Sequence, residues 1–192
     1  NFQQLYSLAE QAQQELAILT NQVALLSATQ AMVPAIKSVA RAQSKITHKF
    51  AGKAEQITDL ARSSLIARNS QQLMAAFEQI ELNAEIVQIK NRFNNPKANG
   101  YRDLNLLVRL PKSKMVVEVQ LHLNRMQTIK NGPEHDNYVA IQSIANKANS
   151  QQRDLSELEH FKVQQLQQES SALYHAAWQQ QLMNELTQQK IA

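Results

Sequence analysis

The chain has 192 residues, 43% apolar and 19% charged, with a formal net charge of +4 and no cysteine. This suits one globular domain with an added helical segment, and excludes global disorder, a disulfide framework, a thiol nucleophile and cysteine-ligated zinc. Three glycines leave no material for a Gly-rich phosphate loop, no apolar run approaches the ~18 residues of a membrane span, and the mild charge fits an anionic ligand at one site better than a nucleic-acid arm.

Leu5, Leu8, Ala12, Leu16, Leu19, Val23 and Leu26 recur in steps of three and four, which predicts one amphipathic helix over 1–27. A second helix is expected to open at Pro34, where a missing N–H costs little, and to run to about His48. The period then changes. Segments 60–67, 84–93, 101–110 and 115–123 are rich in Val, Ile and Leu and read as strands. A short helix over 70–80, capped by Ser70, separates the first two. The cluster Asn94-Asn95-Pro96-Lys97-Ala98-Asn99-Gly100 is a turn, and Pro111–Lys114 closes a hairpin. From about 137 onward the chain is helical again. Its apolar face is assigned to Leu155, Leu158, Phe161, Leu166, Leu173, Leu182 and Leu186, with glutamine on most other faces. The expected fold class is α+β, with a mixed sheet of four to five strands flanked by helices. The expected organisation is an N-terminal helix over 1–33, a mixed domain over 34–148, and a Gln-rich helical segment over 149–192 packed on that domain.

Alternation along the hairpin separates two faces. Val117, Val119 and Leu121 share one. Glu118, Gln120 and His122 share the other, with Tyr101, Asp103 and Asn105 brought to it across the hairpin. A tight loop pairs Asn105 with Gln120 and Asp103 with His122. The polar face fits a solvated sheet surface, and it equally fits a row of orienting groups. Lys37, Arg41 and Lys45 fall at i, i+4 and i+8, one stripe of the helix begun at Pro34. Such a stripe suits a phosphate chain or an ordinary wet face. Asp59 and Arg62 stand at the mouth of the first strand, as a local ion pair or as metal and phosphate ligands. Two carboxylates such as Asp59 and Glu118 meet only through the fold. Sharing Mg²⁺ with phosphates is a common use of such a pair.

The run Lys90 to Tyr101, ending Pro96-Lys97-Ala98-Asn99-Gly100-Tyr101, resembles the RelA/SpoT-type alarmone synthetase domain. Asp59-Leu60-Ala61-Arg62 is similar to the first-strand motif of that family. Val117-Glu118-Val119-Gln120 resembles its Glu-Val-Gln strand, and His135 with Tyr138 resembles its later His-x-x-Tyr. The order of the motifs is that of the family, and the wording is closest to divergent, toxin-like members. Two positions depart from the pattern: Asn91 stands where Asp is usual, and Asn105 where synthetases of guanine nucleotides usually carry His.

The resemblance implies a nucleotidyltransferase-like sheet and transfer of pyrophosphate from ATP to the 3′-hydroxyl of a purine nucleotide, with Mg²⁺. Carried over by residue, Asp59 binds Mg²⁺, and Glu118 binds metal or activates the 3′-hydroxyl as general base. Gln120 joins them in the catalytic group. Lys37, Arg41, Lys45 and Arg62 hold ATP. Lys90, Lys97, Tyr101, Asn105 and His122 form the acceptor side, with Tyr101 stacking on the base. The product is (p)ppGpp- or (p)ppApp-like. A toxin acting on the tRNA 3′ end and a catalytically inactive nucleotide- or partner-binding domain are the alternatives. No membrane partner is expected. The terminal helices fall outside the resemblance and are open to packing on the sheet, a second copy or an inhibitor; a cytoplasmic site of action is expected, with secretion or translocation left open.

Overall fold

The computed structural model describes residues 2–190. Its chain forms two compact units. The first holds the residues up to Lys90 together with Leu104–Leu123, and the second holds Asn91–Asp103 and the residues from Asn124 onward.

In the first unit, α1 (Phe2–Ser27) leads into a five-stranded mixed sheet. The strands are β1 (Gln30–Met32), β2 (Arg62–Ala67), β3 (Glu85–Asn91), β4 (Leu104–Arg109) and β5 (Val116–Leu123), in the order β1-β2-β5-β4-β3. β2 and β5 run parallel, while β1–β2 and β4–β5 are antiparallel. The α+β class and the mixed sheet are as the sequence predicts. β1 is a three-residue edge strand, too short to leave a periodic signal.

One sheet face carries Ser63, Leu65, Val117, Val119, Leu106 and Val108, all buried. α1 and α3 (Ser70–Asn83) pack on this side. The buried stripe of α1 runs through Ala9, Ala12, Leu16, Leu19, Thr20, Val23 and Ser27. Leu8 and Leu26 fall one position off it and are exposed. Thr20 and Ser27 are tolerated inside because their hydroxyls donate to the carbonyls of Leu16 and Val23, both at 2.7 Å. Asn69, not Ser70, caps α3: its side-chain oxygen accepts from the Gln72 N–H at 2.9 Å.

α2 (Val39–Phe50) starts five residues later than Pro34 suggests. The preceding segment is extended, and the Lys37 N–H donates to Leu60 O at 2.9 Å instead of entering a helix. A small core of Ala9, Ala42, Ile46, Ile57 and Leu60 seats α2. Its left-handed C-cap, Ala51, ends it.

The second unit contains α4 (Asn124–Asn131), α5 (His135–Ser150), α6 (Glu157–Gln189) and the loop from Asn91 to Asp103. α6 opens with a capping box between Ser156 and Glu159. Its buried stripe is Leu166, Ser170, Tyr174, Ala177 and Gln181; of the apolar residues expected there Leu166 is buried, while Leu158, Phe161, Leu182 and Leu186 are exposed. α4 and α5 pack against α6, and two of the buried positions are polar because they have partners there: Ser170 Oγ accepts from Asn137 Nδ2 at 3.3 Å and Tyr174 Oη donates to Glu134. Among the described residues no helix is long and apolar enough to cross a membrane.

Candidate active site

In the first unit, Asp59 lies three residues ahead of β2 and is 8% exposed. Its Oδ2 accepts from Lys37 Nζ and, at 2.6 Å, from Lys45 Nζ. These lysines do not share a helix stripe: Lys37 precedes α2, and the chain reversal brings it to the same oxygen. Arg41 is exposed on α2 and takes no part in these bonds. Burial alone would raise the Asp59 carboxyl, but the two lysine bonds and their charges outweigh it and hold the group below its ordinary value. Burial also lowers Lys37, against the pull of Asp59.

β2 and β5 align Arg62 with Glu118, Ser64 with Gln120 and Ile66 with His122. The Glu118 N–H donates to Ala61 O at 3.2 Å, so the glutamate sits beside the strand that Asp59 introduces. Asn105 pairs with Gln120, as the hairpin predicts. β4 begins only at Leu104, so Asp103 does not join the ladder opposite His122. Glu118 and Gln120 are half-buried. His122 is buried, with Nε2 at 3.3 Å from Ser64 Oγ. Lys90 is exposed near the end of edge strand β3.

Asp59 Oδ1, Arg62 Nε and Asn105 Nδ2 are buried without a hydrogen-bond partner, and they account for three of the four such side-chain atoms among the described residues. Each costs about 1–3 kcal/mol, and all three fall on residues that the sequence singles out. A carboxylate oxygen without a partner suits a hard cation. Among the described residues no group of three or more His, Asp or Glu converges. Few protein ligands and several phosphate oxygens are what Mg²⁺ favours, and the donor chemistry here fits it.

A glutamine that the sequence does not single out holds this geometry. Gln13 accepts from the Arg62 N–H and donates to Arg62 O, both at 3.0 Å, and also donates to Pro34 O. One amide thus ties α1 to the start of β2 and to the segment leading to Lys37. In a chain with 27 glutamines, nothing in the sequence distinguishes it.

The second unit holds Lys97 and Tyr101. Its loop is tied at the base: the Arg92 N–H donates to Asp103 O at 2.9 Å, and the Arg92 guanidinium to the Asp103 carboxylate at 2.9 and 3.2 Å. Asp103 is fully buried and also accepts from Tyr101 Oη at 3.0 Å. Burial raises its carboxyl above the ordinary value, and the Arg92 charge only partly offsets this. Gly100 has φ +83°, and a Cβ there would lie 2.9 Å from the Ser171 Cα. Glycine is therefore required by backbone conformation and by space.

One stripe of α6 backs this loop. Ser171 meets Gly100, Tyr174 packs edge-on against Tyr101 at 5.6 Å, and Trp178 stacks near Phe93 at 5.4 Å and under Arg102 at 5.3 Å. Tyr174 Oη donates to Glu134 Oε2 at 3.0 Å, and Asn99 Nδ2 donates to Glu134 Oε1 at 3.2 Å. Glu134 is 2% exposed, and its position directly before His135 of the predicted motif is the one sequence sign of it. Beside it lies a cavity of about 300 Å³, lined among others by Lys97, Tyr101, Lys130, His135 and Tyr138. The Tyr101 ring is 3% exposed. Lys97 Nζ stands 5.1 Å from its centroid and Lys130 Nζ 5.3 Å.

A profile of the region found in RelA and SpoT proteins matches residues 35–142, more than half of the chain. The chain belongs to the RelA/SpoT family. The match spans Lys37, Asp59, Glu118, the Tyr101 loop and Tyr138. Among solved structures, this RelA/SpoT chain is similar to a GTP pyrophosphokinase family protein from Streptococcus pneumoniae (TM-score 0.72, 13% identity, 98% of this chain and 93% of that one). It is also similar to the Type VI effector Tas1, solved with its immunity protein (0.69, 21%, 93% and 96%). A third is small alarmone synthetase 1 of Bacillus subtilis bound to its product pppGpp (0.66, 17%, 97% and 96%). At these identities the likeness shows the fold. No curated protein matches the chain.

Proposed function

We propose that this RelA/SpoT-family chain is an ATP-dependent pyrophosphokinase acting on a purine nucleotide. The 3′-oxygen of the acceptor attacks the β-phosphorus of ATP. The bond from that phosphorus to the α,β-bridging oxygen breaks, AMP leaves, and the hydroxyl proton passes to Glu118. The product carries a 3′-pyrophosphate, as a (p)ppGpp- or (p)ppApp-like nucleotide. The observation that carries this reading is the buried Asp59, held ionised by Lys37 and Lys45 with its second oxygen unpartnered, beside a strand that aligns Arg62 with Glu118. Phosphoryl-type transfer needs positioning and charge neutralisation above all, and cations around an ionised carboxylate supply both.

Asp59 and Glu118 would hold Mg²⁺, which when bound neutralises charge on phosphate oxygens. Lys45 and Arg62 meet ATP phosphates, while the more deeply buried Lys37 keeps Asp59 charged. Gln120 and Asn105 orient the acceptor from the same sheet face. Lys97 meets acceptor phosphates and Tyr101 its base. The likeness to the Type VI effector Tas1, solved with its immunity protein, supports a toxin role for the same centre; the tRNA 3′ end that the resemblance offers is the second acceptor to test.

The test is transfer of label from γ-labelled ATP, with Mg²⁺, to AMP, ADP, ATP, GDP, GTP or bulk tRNA in turn. Label on a mononucleotide is expected. Label on tRNA alone would replace the first reading by the second. No transfer to any acceptor would leave a binding domain without catalysis. Glu118→Gln, half-exposed and isosteric, is expected to lower transfer by at least ~10³-fold with an unchanged thermal midpoint.

A further inference from the structure

The Tyr101 ring, as it stands, is covered. It is 3% exposed, with the ammonium groups of Lys97 and Lys130 over it at 5.1 and 5.3 Å. Lys97 comes from the loop and Lys130 from the last turn of α4, so two elements deliver charge to one ring. Both line the 300 Å³ cavity, in which Glu134 is the acidic residue, its two oxygens already accepting from Tyr174 and Asn99. Two like charges over one ring repel, and each ammonium–ring contact is weaker than a charge-assisted bond to phosphate. A phosphorylated ligand entering the cavity draws both ammonium groups toward its oxygens and uncovers the ring. An uncharged ligand has nothing with which to move them.

We propose that Lys130 is a second phosphate-binding residue of this cavity, and that with Lys97 it restricts the cavity to phosphorylated nucleosides by covering Tyr101 until a phosphate arrives. This rests on the acceptor reading given above. Lys130 is exposed on α4, so Lys130→Gln is expected to fold normally.

The experiment is equilibrium calorimetry without ATP or turnover, using ADP, GDP, adenosine and guanosine as probes. Wild-type protein is expected to bind at least one diphosphate ~10-fold or more tighter than its nucleoside. Lys130→Gln is expected to weaken that diphosphate at least ~5-fold and to leave nucleoside binding equal or tighter, because one cover is gone. Lys162→Gln, on the exposed part of α6, is the charge-matched control and is expected to change neither. If Lys130→Gln binds the diphosphate as wild type does, or if nucleoside and diphosphate bind wild type equally, the inference is overturned while the acceptor reading stands. If wild type binds none of the four, the acceptor reading falls and the inference with it.

Discussion

Asp59 and Asp103 are both buried, and both are bonded to basic side chains, but their surroundings treat charge in opposite ways. Asp59 receives two ammonium groups on one oxygen, and its other oxygen has no partner. Its charge is stabilised and partly unspent. Asp103 has both oxygens committed, to the Arg92 guanidinium and to Tyr101 Oη, in a site with no exposure. Its charge is tolerated as a clasp for the loop. A buried carboxylate is thus chemical or architectural according to how many of its lone pairs the fold consumes.

The sharpest way to break this contrast is on activity. Asp59→Asn is expected to lower pyrophosphate transfer at least ~10³-fold in the labelled-ATP assay, because two lysines then face each other without their shared anion. Asp103→Ala leaves the Arg92 guanidinium, itself largely buried, without its partner. A loss of about 3 kcal/mol in urea unfolding is expected, with any loss of activity following the unfolded fraction. Gly100→Ala is expected to cost about 2 kcal/mol, through a positive φ and a Cβ driven against the Ser171 backbone. A smaller test uses acid. The Asp59 carboxyl lies below its ordinary 3.8 in the fold, so its stabilisation is full above that value and is lost as pH falls beneath it. The Asp103 carboxyl is raised above 3.8, so its contribution grows as pH falls through the raised value toward 3.8. In thermal melts from pH 7 to pH 3, Asp59→Asn should lose less midpoint than wild type, and Asp103→Asn should lose more.

The hairpin was legible because β4 and β5 alternate cleanly and a short loop joins them; its register, Asn105 against Gln120, follows from those facts alone. The two basic partners of Asp59 were legible for the wrong reason. Lys37 and Lys45 read as one helix stripe, yet they meet because a backbone bond from Lys37 to Leu60 holds the chain extended before α2. Sequence spacing cannot show a long-range bond that replaces a helical one. The interior of α6 was legible only at Leu166. Several of its apolar residues face outward, and the buried stripe is chosen by what lies against it: a serine that accepts from Asn137, a tyrosine where Glu134 needs a donor. The same limit hid Gln13 and Glu134, whose value lies in partners 20 to 50 positions away.

Gln13 has a consequence for how this protein ages. Its side-chain nitrogen donates to two carbonyls, of Arg62 and Pro34, while its oxygen accepts from the Arg62 N–H. Deamidation, which exchanges that nitrogen for oxygen, would set a negative charge against two carbonyl dipoles at the root of β2. Most of the 27 glutamines can undergo this change on an exposed helix face with little effect. At position 13 the replacement of one atom would turn a two-way clamp into a repulsion, and the damage would be felt three residues from Asp59.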